Sequence, residues 1–127
     1  MDRHERRILA SCLEPRNIGL LEDADGVGRV GDVTDKQFVV FFIGVDDGRL
    51  VDVRYLLRGD CSSIAACSAL SELAMNRPLA EAEAISALDV TQEMDADCCP
   101  GAADPACETA VTALRRAIAD YHRRGET

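Results

Sequence analysis

The segment Phe38-Val39-Val40-Phe41-Phe42-Ile43-Gly44-Val45-Asp46-Asp47-Gly48-Arg49-Leu50-Val51-Asp52-Val53-Arg54-Tyr55-Leu56-Leu57 decides the fold. Its two arms are rich in β-branched and aromatic residues, and Asp46-Asp47-Gly48-Arg49 between them is a turn signal, so the segment predicts an antiparallel hairpin. Upstream, Gly19 to Gly31 reads as a loop that becomes an extended strand toward Val30. Its Gly26-Val27-Gly28 is no dinucleotide fingerprint, because no helix follows directly and the third glycine is misplaced.

Downstream the period changes from two to that of a helix. Ser62 to Asn76 is Ala-rich, offers Ile64, Ala65, Leu70 and Leu73 as a core face, and ends at Arg77-Pro78. Leu79 to Ser86 reads as a second short helix, Asp89 to Met94 as a third turn or helix, and Asp95 to Ala106 as a Pro/Gly/Cys loop. Glu108 to Arg124 is a long helix whose Val111, Leu114, Ile118 and Tyr121 form a stripe. At the other end, Ile8, Leu9, Cys12 and Leu13 mark an amphipathic helix over Arg3–Leu13 that Pro15 closes. The expectation is an α+β fold in one domain, 1–127, with a small antiparallel sheet of about three strands packed against helices on one face.

A net charge of −9 disfavours nucleic acid and anionic membranes, which need a concentrated Lys/Arg surface. The thirteen Arg and one Lys are scattered, with small clusters such as Arg6-Arg7 reading as solvated helix faces. No apolar run approaches the roughly 20 residues of a membrane span, and Met1-Asp2-Arg3-His4-Glu5 lacks the apolar core of a signal peptide. The expected location is therefore cytoplasmic, where six cysteines do not read as a disulfide framework.

Each cysteine is then a small buried hydrophobe or a working thiol. Cys61 and Cys107 each stand at the mouth of an expected helix, where free N–H groups and the helix dipole favour the thiolate that binds metal and attacks sulfur. Cys98 and Cys99 lie in the loop before the second of these helices. Such thiols suit a soft metal such as zinc or iron, or the handling of sulfur; a chain with no bound metal is the other reading. Cys67 and Cys12 fall on helix faces suited to the core, and His4 and His122 sit in charged terminal helices as solvated side chains. With both His at the termini, no Ser/His/Asp or Cys/His constellation forms, and the chain does not read as an enzyme.

In order along almost its whole length, the chain resembles the U-type iron-sulfur cluster assembly scaffolds, the IscU proteins and the N-terminal domain of NifU. The resemblance runs through Pro15-Arg16-Asn17-Ile18-Gly19, Gly26-Val27-Gly28-Arg29-Val30-Gly31, Val45 to Asp52, Gly59 to Leu73, Leu79-Ala80-Glu81-Ala82 and Ala117 to Tyr121. It implies a protein that holds a nascent cluster on three cysteines assisted by an Asp and a His. Sulfur would come from a cysteine desulfurase, and the finished cluster would leave for apo-protein acceptors.

The family's ligand positions are displaced or replaced here. Asp35 stands where the first Cys is usual and Gln37 where the assisting Asp is usual. Asp60 takes the second position with Cys61 one residue late. Pro105-Ala106 takes the His-Cys pair with Cys107 one residue late. The implied function is a cluster- or iron-binding scaffold or carrier with a rearranged ligand set. Its principal ligands would be Cys61 and Cys107, with Cys98 or Cys99 as a third thiol and Asp35 or Asp60 as a carboxylate. The alternative is a degenerate scaffold without a cluster, acting as adaptor or regulator of the assembly machinery.

Overall fold

The computed structural model describes residues 2–32, 34–94 and 105–125. Three strands, β1 (Gly26–Val30), β2 (Phe38–Asp46) and β3 (Arg49–Arg58), form one antiparallel sheet in the order β1-β2-β3. The helices are α1 (Arg3–Leu13), α2 (Cys61–Ala74), α3 (Leu79–Glu83), α4 (Ala87–Met94) and α5 (Pro105–Gly125). The α+β expectation holds.

The hairpin closes as its residues dictate. Asp47 and Gly48 both take positive φ, 52° and 73°, the backbone that a two-residue turn matched to the strand twist requires. Val39, Phe41 and Ile43 alternate inward along β2. On β3 the buried residues are Leu50, then Val53 and Tyr55, a change of parity produced by the register shift at Gly44/Val45, which leaves Val51 half-exposed.

The inward face carries α5 along β1 and β2, and α2 along β3. Close approach explains the two β1 glycines: a Cβ on Gly28 would strike the backbone of Ala113, Arg116 and Ala117, and one on Gly26 the carbonyl of Ala117. The Gly-x-Gly is therefore a packing device for a helix that arrives from far along the chain. Asp120 fastens the same contact, since its Oδ2 accepts from the Val27 N–H at 2.9 Å.

α1 lies on α2 rather than on the sheet. Beyond it, Arg16 donates its N–H to Ser68 Oγ at 3.0 Å and its guanidinium to Glu72 at 2.7 Å. Ile18 then runs beside Tyr55 at the free edge of β3. No helix among the described residues is long and apolar enough to cross a membrane.

Candidate functional site

At one end of the sheet, the chain leading into β2, the start of α2 and the start of α5 converge on a groove of about 430 Å³. Gln37, Arg58, Asp60, Ser63, Pro105 and Ala106 line it. Thus Gln37, Asp60 and the Pro105-Ala106 pair, which come from three separate parts of the sequence, share one surface.

Asp60 is the N-cap of α2, its Oδ1 accepting from the Ser63 N–H at 3.0 Å. Its second carboxylate oxygen can face a cation without breaking the cap. Asp35 is likewise engaged locally: its Oδ2 accepts from the Asp32 N–H at 2.7 Å, and it is exposed.

Cys61 is the first residue of α2, and its sulfur is joined to Cys12 near the end of α1, with the two Cα atoms 5.0 Å apart. This corrects two expectations, that the cysteines form no disulfide and that Cys12 is a core residue. Both sulfurs belong to half-buried residues at the α1–α2 contact. The reason lies in helix phase. Cys61, Ser68 and Glu72 follow one stripe of α2, and that stripe faces α1 and the Arg16 segment.

Cys107 is completely buried and its thiol donates to Met94 Sδ at 3.3 Å. α5 starts at Pro105, three residues before the expected Glu108, so Cys107 falls inside the first turn. There it is in phase with Val111, Leu114 and Ile118 and extends their inward stripe. Cys67 is buried as expected; burial pushes its thiol well above the ordinary range, and the neighbouring Cys107 pushes it further.

Cys98 and Cys99 lie outside the described residues, as does most of the expected loop Asp95 to Ala106. His122 is exposed, and the side chain of His4 is not among those described. Among the described residues, no three His, Cys, Asp or Glu side chains converge as a metal site. The structure thus pairs Cys61 with Cys12 and sets Cys107 against Met94. The carboxylate of Asp60 lies at the groove.

Two further residues escaped the sequence reading. Asp120 is nearly buried; the Val27 N–H, with Arg124 and Arg123 beside it, holds its carboxyl below the usual range against the opposing effect of burial. Tyr55 is fully buried against Phe41, ring centroids 5.6 Å apart, and burial pushes its phenol up to about 12. Ser68 stands near that hydroxyl, but Tyr55 makes no hydrogen bond of good geometry among the described residues.

The chain matches the NifU-like N-terminal domain over residues 3–127. It is 35% identical over 113 residues to two iron-sulfur cluster assembly scaffold proteins IscU of Archaeoglobus fulgidus, covering 87% of this chain and 71% of each of those. It is 29% identical over 127 residues to the scaffold protein IscU of Escherichia coli, covering 97% of both chains. In three dimensions it superposes on a NifU-like protein N-terminal domain from Brucella abortus with a TM-score of 0.60 and 20% identity, over 95% of this chain and 92% of that one. The fold is accordingly shared with that domain, and the chain belongs to the NifU-like N-terminal domain family of iron-sulfur cluster assembly scaffolds.

Proposed function

We propose that this chain is an iron-sulfur cluster assembly scaffold or carrier whose cargo, a cluster or its iron, is held at the groove pole on a rearranged ligand set. The thiolates are Cys61 and Cys107 with Cys98 or Cys99, and the carboxylate is Asp35 or Asp60. Its sulfur source is a cysteine desulfurase, its recipients are apo-proteins, and it works in the cytoplasm as a carrier rather than an enzyme. Soft thiolate sulfur suits iron in a sulfide-rich cluster, and a carboxylate ligand weakens the hold enough for release.

One observation carries the reading: Asp60 on the groove and the Cys61 that follows it occupy the cap and first turn of one helix. Two conditions follow. The Cys12–Cys61 bond must be reduced and the start of α2 must turn Cys61 from α1 toward the groove before it can coordinate there, and the first turn of α5 must move for Cys107 to leave the core.

A specific observation supports the second reading, an adaptor without cargo. Asp60 and Asp35 are both engaged in local hydrogen bonds, and Cys107 is packed as a core residue.

Anaerobic reconstitution with iron and sulfide after thiol reduction separates the two. The scaffold gives visible charge-transfer absorption that disappears in Cys61→Ala/Cys107→Ala. The adaptor stays colourless and still binds the desulfurase. Metal analysis of the purified protein identifies zinc, if zinc occupies the site instead.

A further inference from the structure

Opposite the helices, β2 turns Phe38, Val40 and Phe42 outward, with Val27 beside Phe42 and Leu56 beside Val40. None of the five is buried, and Leu56 is 37% exposed. Arg29, Arg54 and Arg58 stand on the same face, each paired in register with one of these β2 residues. Among the described residues, Arg54 is the one of the three with an ion pair, to Asp52 at 2.8 Å, and Arg29 and Arg58 are exposed.

Residues 19–25 cross this open face at its hairpin end. Gly19 donates its N–H to the Tyr55 carbonyl at the outer edge of β3, and Asp25 donates to the Ile43 carbonyl on the other side of β2. Between them Leu21 passes 3.7 Å from where a Cβ on Gly44 would stand, on the face that Asp52 shares. The crossing segment is therefore a raised step. It bears Glu22 and Asp23, both exposed, and Leu20, 61% exposed. The open face thus has a raised acidic end and a bare end where Arg29 and Arg58 flank an apolar patch, the composition of a docking surface.

We propose that the open face docks a second copy of this chain in a two-fold dimer, the raised acidic end of each copy resting on the bare arginine end of the other. Sheets packed face to face keep their strands aligned within about 30°, which leaves two arrangements about a two-fold axis. With the axis along the strands, the raised steps collide and like charges meet at both ends. With the axis across the strands, each step fits over the other copy's bare end. Leu20 then meets Val40 and Leu56 of the second copy, and Glu22 and Asp23 face its Arg29 and Arg58. Charge and shape select the same arrangement.

Each chain has a net charge of −9, but at about 0.15 M salt charges more than about 8 Å apart are largely screened, so the facing ends outweigh the distant repulsion. Phe38 and Arg58 also line the groove, so the second copy borders the candidate site. The pairing itself goes beyond the scaffold reading, since it requires neither iron nor a free thiol.

The test is sedimentation velocity of the full chain at about 0.15 M salt, with reductant and chelator so that neither a disulfide nor a shared metal joins two chains. The wild type is expected to dimerise with a Kd below about 50 μM. Glu22→Arg/Asp23→Arg and Arg29→Glu/Arg58→Glu are each expected to weaken self-association at least about tenfold, because like charges then meet at both ends. An equimolar mixture of these two variants restores opposite charges at both ends and is expected to dimerise as the wild type does. Leu56→Asp, which puts a charge in the apolar patch, is expected to be monomeric. Circular dichroism checks that each variant is folded; if a reversal unfolds the chain, Arg29→Gln/Arg58→Gln takes its place and is expected to weaken the dimer less. A wild type that stays monomeric overturns the proposal and leaves the face to solvent or to a different protein. A dimer that survives the charge reversals or Leu56→Asp, or a mixture that fails to associate, overturns it as well. Because no iron is present, failure here leaves the iron-loading result of the scaffold reading standing, and the reverse holds equally.

Discussion

Cys12 and Cys61, separated by 49 residues, tie the last turn of α1 to the first turn of α2. A crosslink across a loop of that length removes unfolded-state freedom worth about 2–4 kcal/mol. Reduction is expected to lower the unfolding free energy of the wild type by that amount, read in urea as a lower midpoint. Cys12→Ala is expected to unfold at the reduced midpoint whether or not reductant is present. Coincident wild-type curves with and without reductant would contradict a disulfide that supports the fold.

Asp60 has two separable roles, helix cap and candidate ligand. Asp60→Ala removes the acceptor for the Ser63 N–H and is expected to cost about 1 kcal/mol, whereas Asp60→Asn keeps a cap of nearly equal strength. If the carboxylate also holds or releases iron, Asp60→Asn alters the lifetime of the loaded cargo while leaving stability within about 0.5 kcal/mol of wild type. Equal decay of the visible absorption in Asp60→Asn and wild type would confine Asp60 to capping.

Gly28 faces backbone rather than flexible side chains, so an added methyl group cannot be accommodated by a rotamer change. Gly28→Ala is expected to separate β1 from α5 and to cost about 3 kcal/mol or more. Thermal unfolding reads this directly; a loss below about 1 kcal/mol would mean that the strand and helix slide apart freely.

Asp120 makes stability depend on pH. Its folded carboxyl lies below the unfolded value of about 3.9, held there first by the Val27 N–H and then by Arg124 and Arg123. Its contribution is therefore fully present above the unfolded value and is lost as pH falls through the folded one. Asp120→Asn keeps an acceptor for the Val27 N–H but removes the charge, and is expected to cost about 1 kcal/mol at neutral pH, the difference between a charged and a neutral hydrogen bond. The gap between variant and wild type should close as the solution is acidified below about pH 4. A gap independent of pH would mean that the charge plays no part.

Tyr55→Phe isolates a different cost. The buried hydroxyl lacks a well-formed hydrogen bond among the described residues, so its removal is expected to be neutral or to raise the melting temperature. A loss of more than about 1 kcal/mol would show that the hydroxyl is satisfied after all.

Most of the fold was legible because it is written in local signals. The hairpin is visible in the alternation of 38–45, in the Asp47-Gly48 turn and in the second arm from Leu50. α5 is visible in the spacing of Val111, Leu114 and Ile118. The cysteines were less legible because their partners depend on helix phase and on contacts far apart in sequence. Placing the start of α5 at Glu108 instead of Pro105 left Cys107 outside a stripe that it in fact continues. Nothing local to Cys12 or Cys61 reveals that α1 lies against α2, so their pairing was read as one core residue and one ligand. The β1 glycines carried a legible signal, close backbone approach, but only the fold identifies α5 as the neighbour.

The most direct measurement is cluster transfer to an apo-ferredoxin from protein treated with iron and sulfide in two matched samples, one with the Cys12–Cys61 pair reduced and one with it oxidised. The reduced sample is expected to carry iron and sulfide and to mature the ferredoxin, and the oxidised sample and Cys61→Ala are expected to do neither. If the reduced wild type retains no iron and transfers nothing while still binding the desulfurase, the cargo-carrying role is contradicted and the chain is an adaptor.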